Sequence, residues 1–200
     1  MTLRPDLAAI AEMIPTSARV LDVGCGDGAL LEHLTATKNV DGRGIELSQQ
    51  NVNACVARGL AVMQGDADTD LHEYPAGAFD VAILSQTIQA TRAPKEVLGH
   101  LLRIGRRTVI SLPNFGHWKV RLRLLVDGRM PRTLALDYHW YDTPNIHLCT
   151  IADFVALAKD QGAAIESALA LDEKGRTRPM HAEAWGPNVL ADGAIFLLRC

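Results

Sequence analysis

The residues of this chain best suited to chemistry are the glycines and the acid that follow its first two predicted strands. Gly24, Gly26 and Ala29 satisfy the loose pattern G-x-G-x-x-G/A, whose glycines let a backbone turn sharply and approach a ligand closely. Glu46 follows 22 residues after Gly24, at the end of the second predicted strand, where a carboxylate can accept hydrogen bonds from both hydroxyls of a ribose. This spacing indicates a nucleoside site, which either a dinucleotide or another nucleoside cofactor would satisfy.

Two further acids separate these cofactor classes. Asp22 lies inside the first predicted strand, two residues before Gly24, where dinucleotide enzymes usually carry an apolar residue. Asp66, in the string Gly65-Asp66-Ala67 after the third predicted strand, would place a carboxylate within reach of an adenine amino group. Both positions depart from the dinucleotide pattern.

The elements that must position these residues alternate between short β-branched runs and segments of helical period. This alternation is typical of an α/β protein with a mainly parallel sheet. Strands are expected at residues 19–23, 42–46, 60–63, 79–84, 107–112, 163–171 and 194–199. In the helix after Ser48, Val52, Cys55 and Val56 are expected to face inward. The connection 172–192 is long for a compact domain, so we expect it to be mobile or functional.

The segment 20–28, together with Glu46 and Gly65-Asp66-Ala67, resembles the seven-stranded S-adenosylmethionine-dependent methyltransferases. The resemblance covers roughly residues 18 to 112. It implies an α/β fold with a Rossmann-like, seven-stranded class I methyltransferase sheet, mostly parallel with an antiparallel C-terminal strand. It also implies S-adenosylmethionine or S-adenosylhomocysteine as the cofactor. The cofactor-binding residues that follow from it are Asp22, Gly24, Cys25, Gly26, Glu46, Leu47, Asp66, Ala67 and Ser85.

Matched positions in that superfamily suggest individual roles. Gly24 and Gly26 would bound the cofactor loop, and Asp22 would steady it near the methionine moiety. Glu46 would hold the ribose diol. Asp66 would bind the adenine N6 amino group while the Ala67 N–H faces N1, and Ser85 and Gln86 would border the methyl donor.

Composition and charge exclude several other classes of function. The 200 residues suit one domain over 1–200, and the net charge of −3 supplies no global field for nucleic acid. The segment 85–89 also lacks the [DN]-P-P-[FYW] motif of methyltransferases that act on base amines. We therefore expect no nucleic-acid partner. No apolar run approaches 18 residues and no signal peptide is visible, which predicts a cytoplasmic protein with no membrane partner.

The insert at 113–149 is the most individual region of the chain. It holds five of the ten aromatic residues and carries a net charge of +2, against −5 for the rest of the chain. Such a segment suits either a lid that packs on the sheet or a surface for a protein partner. Its densest polar candidates are His139, Tyr141, Asp142 and His147. A structural role is favoured for each of them, because the string 142–145 is also typical of a turn. We assign no catalytic residue.

Metal binding has one candidate in the insert, the triplet His139, His147 and Cys149. The four cysteines lie far apart and form no C-x-x-C pair, which favours free thiols in a reducing compartment. We therefore expect no metal site.

Three longer strings, at 84–90, 113–118 and 140–150, resemble the methionine-biosynthesis MetW family, and the likeness runs from about residue 3 to 171. This resemblance implies an S-adenosylmethionine-binding, methyltransferase-like protein that acts as an accessory or regulatory subunit of a homoserine O-acyltransferase (an acetyl- or succinyltransferase). The insert 113–149 would grip that partner. The alternative is a free-standing S-adenosylmethionine-dependent methyltransferase with a small-molecule acceptor bound under the insert.

Overall fold

The computed structural model describes residues 3–133 and 136–199. Its helices are α1 (Pro5–Met13), α2 (Ala29–Lys38), α3 (Gln49–Ala57), α4 (Pro94–Ile104), α5 (Trp118–Asp127), α6 (Ile151–Asp160) and α7 (Trp185–Leu190). Its strands are β1 (Arg19–Val23), β2 (Asp41–Glu46), β3 (Ala61–Gln64), β4 (Phe79–Ser85), β5 (Gly105–Pro113), β6 (Ala164–Leu171), β7 (Thr177–Pro179) and β8 (Gly193–Arg199). Short 3₁₀ turns at Leu71–Glu73 and Ile88–Ala90 flank β4.

The strands form one sheet in the order β3-β2-β1-β4-β5-β8-β6-β7. Strands β1 to β5 pair in parallel, whereas β8 is antiparallel to both β5 and β6. The predicted mostly parallel sheet with an antiparallel C-terminal strand is thus confirmed. The strand order reverses between β1 and β4, which is where open α/β sheets bind their ligands.

The sheet has one strand more than the seven expected, and that strand lies in the connection 172–192. Asp172 accepts hydrogen bonds from the N–H groups of Lys174 and Arg176, and Gly175 has a φ of +73°. This turn folds β7 back antiparallel to β6, and α7 follows it. Part of this connection is therefore regular structure, which the sequence pattern did not show.

Alternate side chains along the strands point to opposite faces of the sheet and form two buried apolar layers, one on each face. In β1, Val20 packs with α1 and α2, whereas Leu21 packs in the larger layer that contains α4 and α6. The ring centroids of Phe154 and Phe196 lie 4.7 Å apart in that larger layer. These layers hold the strands in a fixed register, so the loops at one edge of the sheet are fixed as well.

Helix α3 differs in one respect from its prediction. Val52 and Cys55 are buried, but Val56 is 56% exposed, because it lies one residue farther round the helix than Cys55. Ser48 precedes the helix with an extended backbone, but its side chain makes no capping bond.

In the described residues, no helix is long and apolar enough to cross a bilayer.

Candidate functional site

A pocket of about 290 Å³ opens where β1, β2, β3 and β4 end. We call it the edge pocket. Five of the predicted cofactor residues line it, namely Gly24, Glu46, Leu47, Asp66 and Ala67. The lining also includes residues that sequence reasoning did not single out, among them Thr87, Ala90, Thr91 and Arg92. Their sequence signals are their position just after β4 and, for Thr87 and Ala90, the string 84–90.

The glycine loop leaves room for a ligand at its centre. Gly26 has a φ of +57°, and a Cβ built there would have no atom within 4 Å, so only a hydrogen extends into this open space. Gly24 has a φ of +71°, and its Cβ would lie 2.7 Å from Thr87 Oγ1. A side chain at Gly24 would therefore push the loop and the segment after β4 apart.

Cys25 contributes its backbone rather than its thiol to the loop. Its N–H donates to Ile45 O at 3.2 Å, beside the Gly24 N–H bond to the same oxygen at 2.8 Å. The Sγ lies against Gly44 of β2, and burial raises the pKa of the thiol above its ordinary value. Cys25 is thus a weak candidate for nucleophilic chemistry.

Glu46 ties the glycine loop to the start of α3. Its carboxylate accepts hydrogen bonds from the Gly26 N–H at 2.8 Å and the Ser48 N–H at 2.9 Å. The Asn51 side chain donates a third at 3.4 Å. The side chain is therefore held in one position at the end of β2, where it lines the edge pocket and keeps lone pairs for further donors.

Asp22 is buried with one carboxylate oxygen unsatisfied. Its Oδ1 has no hydrogen-bond partner among the described residues. Burial, assisted by the negative charge of Glu46, raises the pKa of Asp22 to about 7. An orphaned oxygen beside a second carboxylate favours a cationic ligand, because a positive charge there would offset both.

The start of α2 argues against a pyrophosphate. In dinucleotide sites the phosphates accept N–H groups at this helix N-terminus. Here the Ala29 N–H donates to Asp27 Oδ1 at 3.3 Å. A carboxylate thus already occupies the end of the helix that a phosphate would use, so the residues present fit an adenosine cofactor with a positive charge better than a dinucleotide.

Asp66 lines the edge pocket but already has partners. Its Oδ2 accepts from Arg92 Nη2 at 2.5 Å, and its Oδ1 accepts from the Asp68 N–H at 2.9 Å. The Arg92 N–H in turn donates to Asp68 Oδ2 at 2.9 Å. A ligand amino group must therefore share Asp66 with Arg92 or displace it.

Ser85 lies at the end of β4, outside the lining of the edge pocket. Its hydroxyl exchanges a hydrogen bond with the Ser111 hydroxyl of β5 at 3.0 Å. The next residue, Gln86, has a φ of +57°, and its N–H donates to Ser111 O and Oγ, both at 3.0 Å. Gln86 lines a second pocket of about 530 Å³, whereas Thr87 lines the edge pocket. The Gln86–Thr87 pair thus borders both.

The polar residues of the insert do not converge on one point. His139 stacks on Tyr141 with ring centroids 5.1 Å apart and contacts Arg132, whereas His147 Nε2 lies 3.2 Å from Arg92 O. Cys149 accepts a hydrogen bond from Gln89 at 3.1 Å. Across residues 3–133 and 136–199, no group of three His, Cys, Asp or Glu side chains is arranged to hold a metal ion.

The family profile described as "Methionine biosynthesis protein MetW" matches residues 4–198. The chain belongs to the MetW family. It is 33% identical over 206 aligned positions to the "Bifunctional methionine biosynthesis protein MetXA/MetW" of Rhodopirellula baltica. That alignment takes in 98% of the chain but only 32% of the relative, so most of the bifunctional protein has no counterpart here.

Solved structures show the same fold in S-adenosylmethionine-dependent methyltransferases. The Thermotoga maritima protein described as a possible histamine N-methyltransferase superposes with a TM-score of 0.70 at 15% identity, covering 98% of this chain and 87% of that one. A methyltransferase from Archaeoglobus fulgidus gives a TM-score of 0.63 at 16% identity, covering 97% and 92%. At such identities the likeness shows the fold alone. This chain, a member of the MetW family, therefore has the fold of these methyltransferases.

Proposed function

We propose that this protein binds S-adenosylmethionine in the edge pocket and serves methionine biosynthesis as an accessory or regulatory subunit of a homoserine O-acyltransferase. We take MetXA to be that acyltransferase. The observation that carries the proposal is the bifunctional MetXA/MetW relative, in which both parts belong to one chain. Covalent fusion is a direct way to hold two cooperating proteins together. This role implies a cytoplasmic protein that works in a complex.

For the cofactor, the support is chemical. Glu46 would hold the ribose diol, Asp66 and Ala67 the adenine edge, and the open space at Gly26 would admit the ligand beside the backbone. The orphaned Asp22 oxygen would face the positively charged methionine end. When bound, S-adenosylmethionine supplies a methyl group on a sulfonium. Isothermal calorimetry should detect S-adenosylmethionine and S-adenosylhomocysteine but no NADH; tight NADH binding would contradict this assignment.

Exposed apolar side chains on the insert support a docking role. We define the insert surface as Trp118, Leu122, Leu125, Val126, Trp140 and Tyr141. Their exposed fractions run from 45% at Trp118 to 83% at Leu125. Of α5, only Val120 is buried, so this helix does not cover the sheet as a lid would. Aromatic and apolar residues beside arginines are typical of the centre of a protein interface. Leu134 and Ala135 of the insert lie outside the described residues.

Co-purification with matched variants tests the docking role. Tagged wild-type protein recovered from its native cell should bring a homoserine O-acyltransferase in stoichiometric amount. Leu125→Glu places a charge on the insert surface and should abolish that recovery. Val56→Glu, at another exposed apolar position on α3, should leave it intact. Equal recovery with both variants would place the partner elsewhere, and no recovery with the wild type would sink the accessory role.

Regulation by the cofactor has a structural route. The 3₁₀ turn 88–90 and the following residues carry Ala90, Thr91 and Arg92 of the edge pocket. The His147 N–H of the insert donates to Gln89 O at 2.9 Å, and His147 Nε2 contacts Arg92 O. A ligand that moves Arg92 therefore acts on the end of the insert. Acyltransferase activity should change with S-adenosylmethionine only in the presence of this protein; a flat titration would remove the regulatory role.

A free-standing methyltransferase is the second candidate, and one observation favours it. The second pocket shares the Gln86–Thr87 border with the edge pocket, which suits an acceptor beside the cofactor. Here turnover of a small acid, thiol or amine should release S-adenosylhomocysteine. The absence of turnover across a broad panel, together with recovery of the acyltransferase, would decide for the accessory role.

A further inference from the structure

The second pocket is built from six segments that are distant in sequence, among them residues 4–6 at the start of α1. Gln86 follows β4, Pro113 ends β5, Asn145 belongs to the insert, Asp192 precedes β8, and the turn after β6 closes one side. Its volume of about 530 Å³ lies within the range of small-molecule sites. Nothing in the proposed cofactor or docking role uses Asp192.

Most charges around this pocket are already paired. Asp6 pairs with Arg4 at 2.8 Å and Asp172 with Arg176 at 2.7 Å. Glu173 pairs with Lys119. Lys174 reaches the pocket from the exposed turn 172–175. Each of these three carboxylates thus has a cationic partner.

Asp192 differs from the other acids. In the described chain its nearest basic group is the Nε2 of buried His117 at 4.0 Å, too long for a hydrogen bond. Its side chain is only 12% exposed, and burial raises its pKa. The charges of His117 and Lys119 oppose this shift, whereas those of Glu173 and Asp172 add to it. The pocket therefore presents a poorly solvated carboxylate that a ligand cation would stabilise.

The backbone around this carboxylate is fixed before any ligand arrives. The Asp192 N–H donates to Leu171 O at 2.9 Å, and its carbonyl accepts from the Asn114 N–H at 2.8 Å. Gln86 has a φ of +57°, and its N–H donates to Ser111 O and Oγ, so its backbone is fixed as well. Asn145 adds an amide to the same cavity.

We infer that the second pocket binds a small molecule carrying an ammonium group, which Asp192 holds, while the amides of Gln86 and Asn145 contact its hydroxyl or carbonyl part. This inference goes beyond the accessory role, since occupation of the pocket requires neither S-adenosylmethionine nor a protein partner. For the second candidate function it names the class of acceptor, a small molecule with an ammonium group.

Three small probes, related to one another by the loss of one charged group, test the inference on the full chain. L-homoserine carries an ammonium and a carboxylate, 3-aminopropan-1-ol keeps only the ammonium, and 4-hydroxybutanoate keeps only the carboxylate. Saturation-transfer NMR and calorimetry would measure their binding to the wild type and to Asp192→Asn, which keeps the backbone bonds. Glu173→Gln, at a paired carboxylate of the same pocket, is the matched control.

The two ammonium probes should bind the wild type and Glu173→Gln, and should bind Asp192→Asn about tenfold more weakly or worse. The carboxylate probe should not bind. Equal binding of 4-hydroxybutanoate, retention of affinity in Asp192→Asn, or failure of both ammonium probes to bind would each overturn the inference. Because no cofactor or partner is present, such a failure leaves the tests of the proposed function unaffected.

Discussion

Two carboxylates stand at the glycine loop, and their surroundings give them different properties. Glu46 accepts bonds from Gly26, Ser48 and Asn51, which satisfy its negative charge. Asp22 is buried with an unsatisfied oxygen, and burial raises its pKa to about 7. Glu46 therefore holds the loop in place, whereas Asp22 keeps one oxygen that can accept a further hydrogen bond.

Asp22 should make cofactor binding depend on pH. Its carboxyl loses a proton near pH 7, and only the charged form attracts a cation, so affinity for S-adenosylmethionine should increase from about pH 6 to about pH 8. Asp22→Asn should bind more weakly and show a nearly flat profile over the same range. Calorimetry at several pH values measures both; a parallel increase in wild type and variant would assign the effect to another group.

The same residue should lower the stability of the unliganded protein. Its folded pKa exceeds the ordinary carboxyl value of about 4, so the unfolded chain releases the proton first. The contribution of Asp22 to the free energy of unfolding therefore falls as pH rises from about 4 to about 7. At about pH 8 we expect Asp22→Asn to unfold at higher urea concentration than the wild type. The two midpoints should converge at about pH 4, and a constant difference at all pH values would contradict this linkage.

Glu46→Gln should weaken S-adenosylmethionine binding by about 1.5–3 kcal/mol, the range for hydrogen bonds to a charged group. Glu32→Gln on α2, whose exposed carboxylate contacts Arg58, is the control and should bind normally. Calorimetry gives the affinities, and circular dichroism checks the fold. Unchanged affinity in a folded Glu46→Gln variant would show that this carboxylate does not hold the ribose.

At the level of elements, the turn 88–90 joins the edge pocket to the insert through Gln89. Its buried amide donates to Pro113 O at 2.9 Å and to Cys149 Sγ at 3.1 Å, at the two ends of the insert. The same turn contributes Ala90 to the edge pocket. One side chain thus closes the base of the insert and fixes one wall of the pocket.

Gln89→Leu should destabilise the protein by about 1–3 kcal/mol, because it leaves buried acceptors unpaired. Hydrogen exchange should accelerate at Phe115, whose N–H bonds to Cys149 O across the base of the insert. Gln49→Leu, on the exposed side of α3, should change neither quantity. Normal protection of Phe115 in Gln89→Leu would mean that other contacts hold the insert closed.

At the level of the whole molecule, ligand binding and stability are linked. A ligand that binds only the folded chain stabilises it by about 2.7 kcal/mol at a hundredfold excess over its Kd. For a chain of this size we therefore expect S-adenosylmethionine to raise Tm by about 5–10 °C. The shift should shrink for Glu46→Gln at the same ligand concentration. No shift for the wild type at millimolar cofactor would contradict cofactor binding.

Local sequence determined most of the sheet and the outline of the edge pocket. The glycine loop, the acid at the end of β2 and Gly65-Asp66-Ala67 each lie where a strand ends, and five of the predicted residues line one pocket. A capping box of Thr150 and Asp153 also forms at the start of α6. These features depend on residues a few positions apart, so their pattern is visible without the fold.

Only the tertiary structure decided how those residues are engaged. Arg92 binds Asp66, which lies 26 residues earlier in the chain, and Ser85 forms a hydrogen bond with Ser111 across the same separation. Helix α5 keeps an exposed apolar face. The additional strand, β7, likewise forms by pairing with the edge of β6. Side-chain partners and exposure are set by which elements meet across the sheet. Periodicity and spacing determine the elements, whereas their packing determines which groups remain free to bind.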